Sequence, residues 1–186
     1  NMRKVLVIGS GGAGKSTLAR QLGETLDIEV LHLDRFYWRA GWGEPPKDVW
    51  QSQVRDLIER DAWIMDGNYS GTLGLRVEAC DTIIFLDAPR LLCLRRVLNR
   101  WAMYRSESRP DMAADCRERF SPAFLWWVWN YPKRTKPKVL ELLKKHAGTK
   151  RLICLRSQGD VRKFLAQVED SLRTHAPAGA TKAAAN

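Results

Sequence analysis

The stretch "GSGGAGKST", Gly9 to Thr17, decides how this chain is read. Gly9, four residues, then Gly14, Lys15 and Ser16 satisfy the pattern G-x-x-x-x-G-K-[ST]. A β-branched run, "RKVLVIG" (Arg3 to Gly9), leads into it, and a helical pattern follows from Lys15 to about Thr25. Glycines adopt backbone angles that other residues resist, and they let amide groups approach an anion closely. The N-terminus of the following helix adds its dipole. On this reading Gly9, Ser10, Gly11, Gly12, Ala13, Gly14, Lys15, Ser16 and Thr17 cradle the phosphates of a nucleotide. Lys15 reaches the β and γ phosphates, and the Ser16 hydroxyl ligates Mg²⁺. The alternative is an ordinary glycine-rich turn. The strand before the loop and the helix after it argue against that.

Outward from the loop, strands and helices alternate. "EVLHLD" (Glu29 to Asp34) reads as a second strand, and "RFYWRAGWGEPP" as an irregular aromatic loop. Trp50, Val54, Leu57 and Ile58 fall at helical spacing. "AWIMDG" (Ala62 to Gly67), "DTIIFLDAP" (Asp81 to Pro89) and "RLICLR" (Arg151 to Arg156) read as the third, fourth and fifth strands. Leu91, Leu94, Val97, Leu98 and Trp101 share one helical face, and Arg96 and Arg100 share another. Phe120, Phe124, Trp127, Val128 and Tyr131 mark a further helix, and Asp160 is expected to cap the last one. The alternation argues an α/β fold, a parallel sheet covered on both faces.

A phosphate loop needs an acid near the metal, at the end of a neighbouring strand. Asp66 and Asp87 are both candidates. Asp66 is preferred because Gly67 after it leaves room for a ligand, whereas Asp87 precedes Ala88-Pro89, a helix start. Asp34 falls at the same carboxyl edge of the sheet, where ligands bind. There it accepts a proton from a substrate hydroxyl, holds a metal-bound water, or simply ends a strand.

Bulk properties set the limits. A chain of 186 residues suits one domain, expected over 2–174 with a lid at about 100–135 and a small polar tail at 175–186. Its net charge of +10 points to an anionic partner. Cys80, Cys93, Cys116 and Cys154 form no C-x-x-C pair and read as reduced thiols, consistent with a cytoplasmic protein. The apolar run "AFLWWVW" is too short to span a bilayer, and no membrane partner is expected.

Together these features resemble nucleoside-monophosphate-kinase-like P-loop proteins, and among them the bacterial DNA topology modulation proteins related to adenylate kinase. The matching residues are "GSGGAGKST", "HLDRFYW", "WIMDGNY", "FLDAP", "RRVLNR", "RPDM" and "FLWWVWNYPKR". The resemblance implies a P-loop NTPase three-layer sandwich, with a five-stranded parallel sheet of order 2-3-1-4-5 and a helical lid. It implies ATP and Mg²⁺ as cofactors. Asp66-Gly67 then matches the start of the catalytic acid loop, and Arg96 and Arg100 match the paired arginines at the lid base. One departure is plain. Asn68-Tyr69 stands where adenylate kinases carry an aromatic, Pro and Arg, so the arginine that holds an acceptor phosphate is missing there.

The remaining arginines divide. Arg105, Arg109, Arg117 and Arg119 suit a lid, whereas Arg95 suits a solvated face. Trp126, Trp127 and Trp129 are expected to pack between lid and core. Two functions stay open: an ATP-dependent phosphotransferase with Lys15, Asp34, Asp66, Arg96 and Arg100 at its catalytic centre and Ser16 and Asp66 on the metal, or a nucleotide-binding regulator that contacts DNA through its basic surface.

Overall fold

The computed structural model describes residues 2–104, 116 and 120–175. Most of the expected lid, including Arg105, Arg109, Arg117 and Arg119, and the tail from 176 onward lie outside the described residues. Five parallel strands form one sheet: β1 (Lys4–Gly9), β2 (Val30–His32), β3 (Trp63–Asp66), β4 (Thr82–Leu86) and β5 (Arg151–Leu155), in the order β2-β3-β1-β4-β5. The helices are α1 (Lys15–Leu26), α2 (Leu33–Tyr37), α3 (Lys47–Glu59), α4 (Ser70–Ala79), α5 (Arg90–Tyr104), α6 (Pro122–Arg134), α7 (Lys136–His146) and α8 (Gln158–His175).

The alternation of β1 explains the layers. Val5 and Val7 point into one apolar cluster with Leu18 and Leu22 of α1, Val97 of α5, Val128 of α6 and Phe164 of α8. Leu6 and Ile8 point into the other, with Trp50 and Val54 of α3, Val77 of α4 and Leu143 of α7. A strand buried on both faces must be apolar at every position, as "VLVI" is. Registers then fix what meets at the carboxyl edge. Asp66 lies beside Val7 of β1 and beside His32 of β2, and Gly9 lies beside Leu86 of β4.

Several expectations are corrected. β2 ends at His32, so Asp34 does not close a strand; it sits in the first turn of α2. The segment after it is ordered, with α2 followed by a 3₁₀ turn at Ala40–Trp42. Asp160 is not the N-cap of α8. Ser157 is, because its Oγ accepts from the Asp160 amide at 3.1 Å. The Asp160 carboxylate answers by accepting from the Arg156 and Ser157 amides at 2.9 Å each, a reciprocal capping box. Helices α4 and α7 were not foreseen: Gly71 and Gly74 dilute the pattern of the first, and Pro132 and Pro137 break the run that holds the second.

Candidate functional site: a phosphate loop facing an aromatic wall

Backbone geometry makes the loop from Gly9 to Thr17. Gly14 caps α1 at φ +100°, in the left-handed region, and no side chain caps that helix. The residues that begin α1, Lys15, Ser16 and Thr17, line a cavity of about 860 Å³. Uncapped amides at a helix start attract an anion. The other glycines answer to packing. A Cβ on Gly9 would meet the Leu86 carbonyl at 2.5 Å, and one on Gly11 would meet the Phe124 ring at 2.5 Å. One on Gly12 would run into the Cys93 carbonyl of α5.

Lys15 curls back to donate from Nζ to the Ser10 carbonyl at 2.9 Å. Burial pulls its pKa down, while the carboxylates of Asp66 and Asp34 pull it up. Those two acids flank the cavity with Ser16. Asp66 is nearly buried and accepts from His32 Nδ1 at 2.7 Å, a contact that the β2–β3 register dictates. Asp87 is elsewhere: its carboxylate pairs with Lys136 Nζ of α7 at 2.7 Å, and it does not line the cavity. From α5, Arg96 donates from Nη1 to the carbonyls of Gly12 and Ala13 at 3.4 and 3.3 Å. Arg100 lines the same wall, its guanidinium 5.9 Å from the Phe124 ring centre. Among the described residues no three His, Cys, Asp or Glu side chains converge as a metal cage. Ser16 and Asp66 alone suit Mg²⁺ only if phosphate oxygens and waters complete its shell, the usual manner of Mg²⁺ at phosphates.

"DGNY" explains the missing arginine. The Asn68 side chain grips the start of the phosphate loop twice, donating to the Gly9 carbonyl at 2.7 Å and accepting from the Gly9 amide at 3.3 Å. Tyr69 turns the other way. Its hydroxyl donates to Asp34 Oδ1 at 2.5 Å, and burial and the Asp34 charge hold it protonated. Tyr69 takes an unusual φ of +24° to do so. Beneath the segment, Arg76 of α4 is fully buried and donates to the carbonyls of Gly67, Asn68 and Tyr69 at 2.8, 2.7 and 2.9 Å. Burial drives its pKa down to about 9, the cost of a desolvated cation. An arginine is thus present near this loop, but it holds the backbone from below and does not face the cavity.

The wall of the cavity away from the phosphate loop is aromatic. Tyr37 meets Trp38, Trp50 and Tyr69 with ring centres 5.0, 5.1 and 4.5 Å apart, and Trp38 meets Trp42 at 5.1 Å. Trp38, Trp42, Asp34 and Tyr69 all line the cavity, opposite Phe124 and Trp127 of α6. Buried Cys116 donates from Sγ to the Arg39 carbonyl at 3.2 Å. Sequence reasoning missed His32, Arg76 and the structural purpose of Asn68 and Tyr69. Trp127 packs inward, stacked on Phe124 at 5.7 Å. Trp126 and Trp129, expected to be buried, are 53% and 43% exposed. Arg134 and Arg90 lie over their rings at 4.6 and 4.0 Å.

A parallel sheet of order 2-3-1-4-5 with a phosphate loop after its central strand is the fold of P-loop kinases, and solved structures agree. Shikimate kinase from Bacteroides thetaiotaomicron matches with a TM-score of 0.50 and 12% identity, over 93% of this chain and 99% of that one. A protein of Chloroflexus aurantiacus J-10-fl, provisionally assigned as a kinase, matches with a TM-score of 0.50 and 14% identity, over 94% and 99%. In sequence, the chain is similar to the uncharacterized protein YqaC of Bacillus subtilis strain 168, at 24% identity over 131 residues, 69% of this chain and 72% of that protein. No family model matches. Among the described residues no helix is long and apolar enough to cross a membrane.

Proposed function

We propose that this protein is an ATP- and Mg²⁺-dependent phosphotransferase acting on a small hydroxyl-bearing acceptor. One observation carries the reading: a single cavity of about 860 Å³ is lined by the phosphate loop at one end and by Asp34, Trp38 and Trp42 at the other. It has room for a nucleotide and a compact second molecule. ATP bound there would supply the phosphoryl group, with Mg²⁺ offsetting its charge. The chain's own groups do the rest. The amides of the loop and Lys15 bind phosphate oxygens, and Ser16 and Asp66 serve the metal. Arg96 and Arg100, already beside the loop, neutralise negative charge as it redistributes. Asp34 takes the acceptor's hydroxyl proton, and the flat faces of Trp38 and Trp42 position its apolar part. Arg35, beside Asp34, also lines the cavity, but the loop after Asp66 offers Asn68 and Tyr69 in place of the arginine that would hold an acceptor phosphate, and on that ground the reading favours an uncharged hydroxyl compound over a nucleoside monophosphate.

The test is ADP release across a panel of nucleosides, sugars, small alcohols and nucleoside monophosphates, with Lys15→Ala as the blank. Turnover with an uncharged hydroxyl compound, absent in Lys15→Ala and reduced in Asp34→Asn, is expected. Nucleotide affinity unchanged by Lys15→Ala would overturn the site assignment, and turnover confined to nucleoside monophosphates would overturn the acceptor class.

A further inference from the structure

The inner faces of α5 and α6 line the cavity, and their outer faces have a different character. From Ala88 to Tyr104 and from Phe120 to Leu140 the chain contains no Asp or Glu. On the exposed side stand the cations Arg90, Arg95, Lys133 and Arg134. Among them large apolar side chains are exposed: Leu91 at 68%, Leu98 at 42%, Trp126 at 53% and Trp129 at 43%. The two helices pack side by side, and Arg90 of α5 reaches across to lie 4.0 Å from the Trp129 ring centre of α6, so the surface is continuous. Among the described residues of α5 and α6, exposed tryptophans and leucines stand without a carboxylate among them, which is uncommon on a surface whose only neighbour is water.

We propose that the outer face of α5 and α6 docks on an anionic phospholipid surface. Indole rings and leucines enter the boundary between headgroups and acyl chains, while arginines and lysines stay at headgroup level. The face suits that occupant better than the others. Single-stranded nucleic acid would use the cations and rings, but Leu91 and Leu98 neither stack on bases nor pair with phosphates. A guanidinium also already covers one side of each indole. A second copy meeting this face with its own would set cations against cations, with no carboxylate of α5 or α6 to meet them. The expectation of no membrane partner rested on the lack of a spanning segment, and a protein lying on the bilayer needs none. Trp126 and Trp129 do not line the cavity, so docking and nucleotide binding are separable.

The full chain is sedimented with vesicles of phosphatidylcholine alone, and with vesicles containing about one-third phosphatidylglycerol. Binding to the anionic vesicles only, weakening as salt is added, is expected. Lys133→Ser with Arg134→Ser should weaken it about tenfold or more, since two surface cations are removed. Trp126→Ala with Trp129→Ala should weaken it comparably with nucleotide affinity unchanged, because neither ring lines the cavity; a thermal scan run beside it confirms that the variant is folded at the assay temperature, since both rings are half-buried. Three results would each overturn the proposal: equal partitioning onto the two vesicle types, indifference of vesicle binding to both double variants, or binding to a single-stranded oligonucleotide that is lost in the tryptophan variant while vesicles are ignored.

Discussion

Asn68 offers the sharpest test of how the site is built. Its amide makes two hydrogen bonds to one residue, 2.7 Å to the Gly9 carbonyl and 3.3 Å from the Gly9 amide. Each such bond contributes about 0.5–1.5 kcal/mol, so Asn68→Ala should cost about 1–3 kcal/mol. Asn68→Asp should cost more, although the side chain is nearly the same size. A carboxylate still accepts from the Gly9 amide, but it has no proton for the Gly9 carbonyl and sets oxygen against oxygen at that short distance. It also adds a negative charge at the edge of an anion site. At an effective dielectric of about 20, a like charge costs about 4 kcal/mol at 4 Å and about half that at twice the distance. Nucleotide affinity should therefore fall about tenfold or more beyond the loss in Asn68→Ala. Urea unfolding gives the stability change, and titration calorimetry with ATP and Mg²⁺ gives the affinity. Asn68→Asp that matches wild type in both would refute the argument, since the geometry requires one donor and one acceptor in the same side chain.

Arg96→Ala and Arg100→Ala should each lower turnover on the order of 10³-fold, a far larger effect than their loss of stability, which for Arg96 includes two bonds to the loop carbonyls, while Arg95→Ala on the exposed side should leave both turnover and melting temperature unchanged; single-turnover ADP release and a thermal scan decide it. Gly74→Ala should stabilise the protein by about 0.5–1 kcal/mol, because Gly74 lies inside α4 and a methyl group there meets nothing within 4 Å. Ser157→Ala should cost about 1 kcal/mol by urea unfolding, through loss of the α8 cap. The partner carboxylate adds a pH dependence. Amide hydrogen bonds from Arg156 and Ser157 lower the Asp160 pKa, so its contribution is complete above the ordinary carboxylate range and fades as pH falls through the lowered value. The Asp160→Asn variant should therefore lose the part of the acid-side slope that wild type shows.

Side chains that act through periodicity were legible. β1, the phosphate loop and the two-sided sheet follow from where apolar residues and glycines fall. Side chains that act on backbone were not. Among the described residues Arg76 pairs with no acid; its partners are the carbonyls of Gly67, Asn68, Tyr69 and Thr72, and a carbonyl has no letter in a sequence. Asn68 is hidden for the same reason. "EVLHLD" reads as a strand ending at Asp34, but β2 pairs only as far as His32, and Leu33 then turns inward to begin α2. The tryptophans misled through composition. "AFLWWVW" is apolar on every face, which reads as burial, yet arginines from α5 and the end of α6 cover two of the rings and let them stay at the surface.

The glycines of the phosphate loop carry a consequence for descent. Gly9 and Gly12 are closed in by the backbone carbonyls of Leu86 and Cys93, so any side chain there forces β4 or α5 apart, and one on Gly11 displaces the Phe124 ring. A lineage that stopped using this site would have to keep them in order to fold. Lys15 and Ser16 sit in ordinary helical backbone at the start of α1 and line the cavity, so they would be the first to drift. Among this protein's descendants, then, surviving glycines would testify to a preserved shape, and only the survival of Lys15 and Ser16 beside them would testify to a preserved activity.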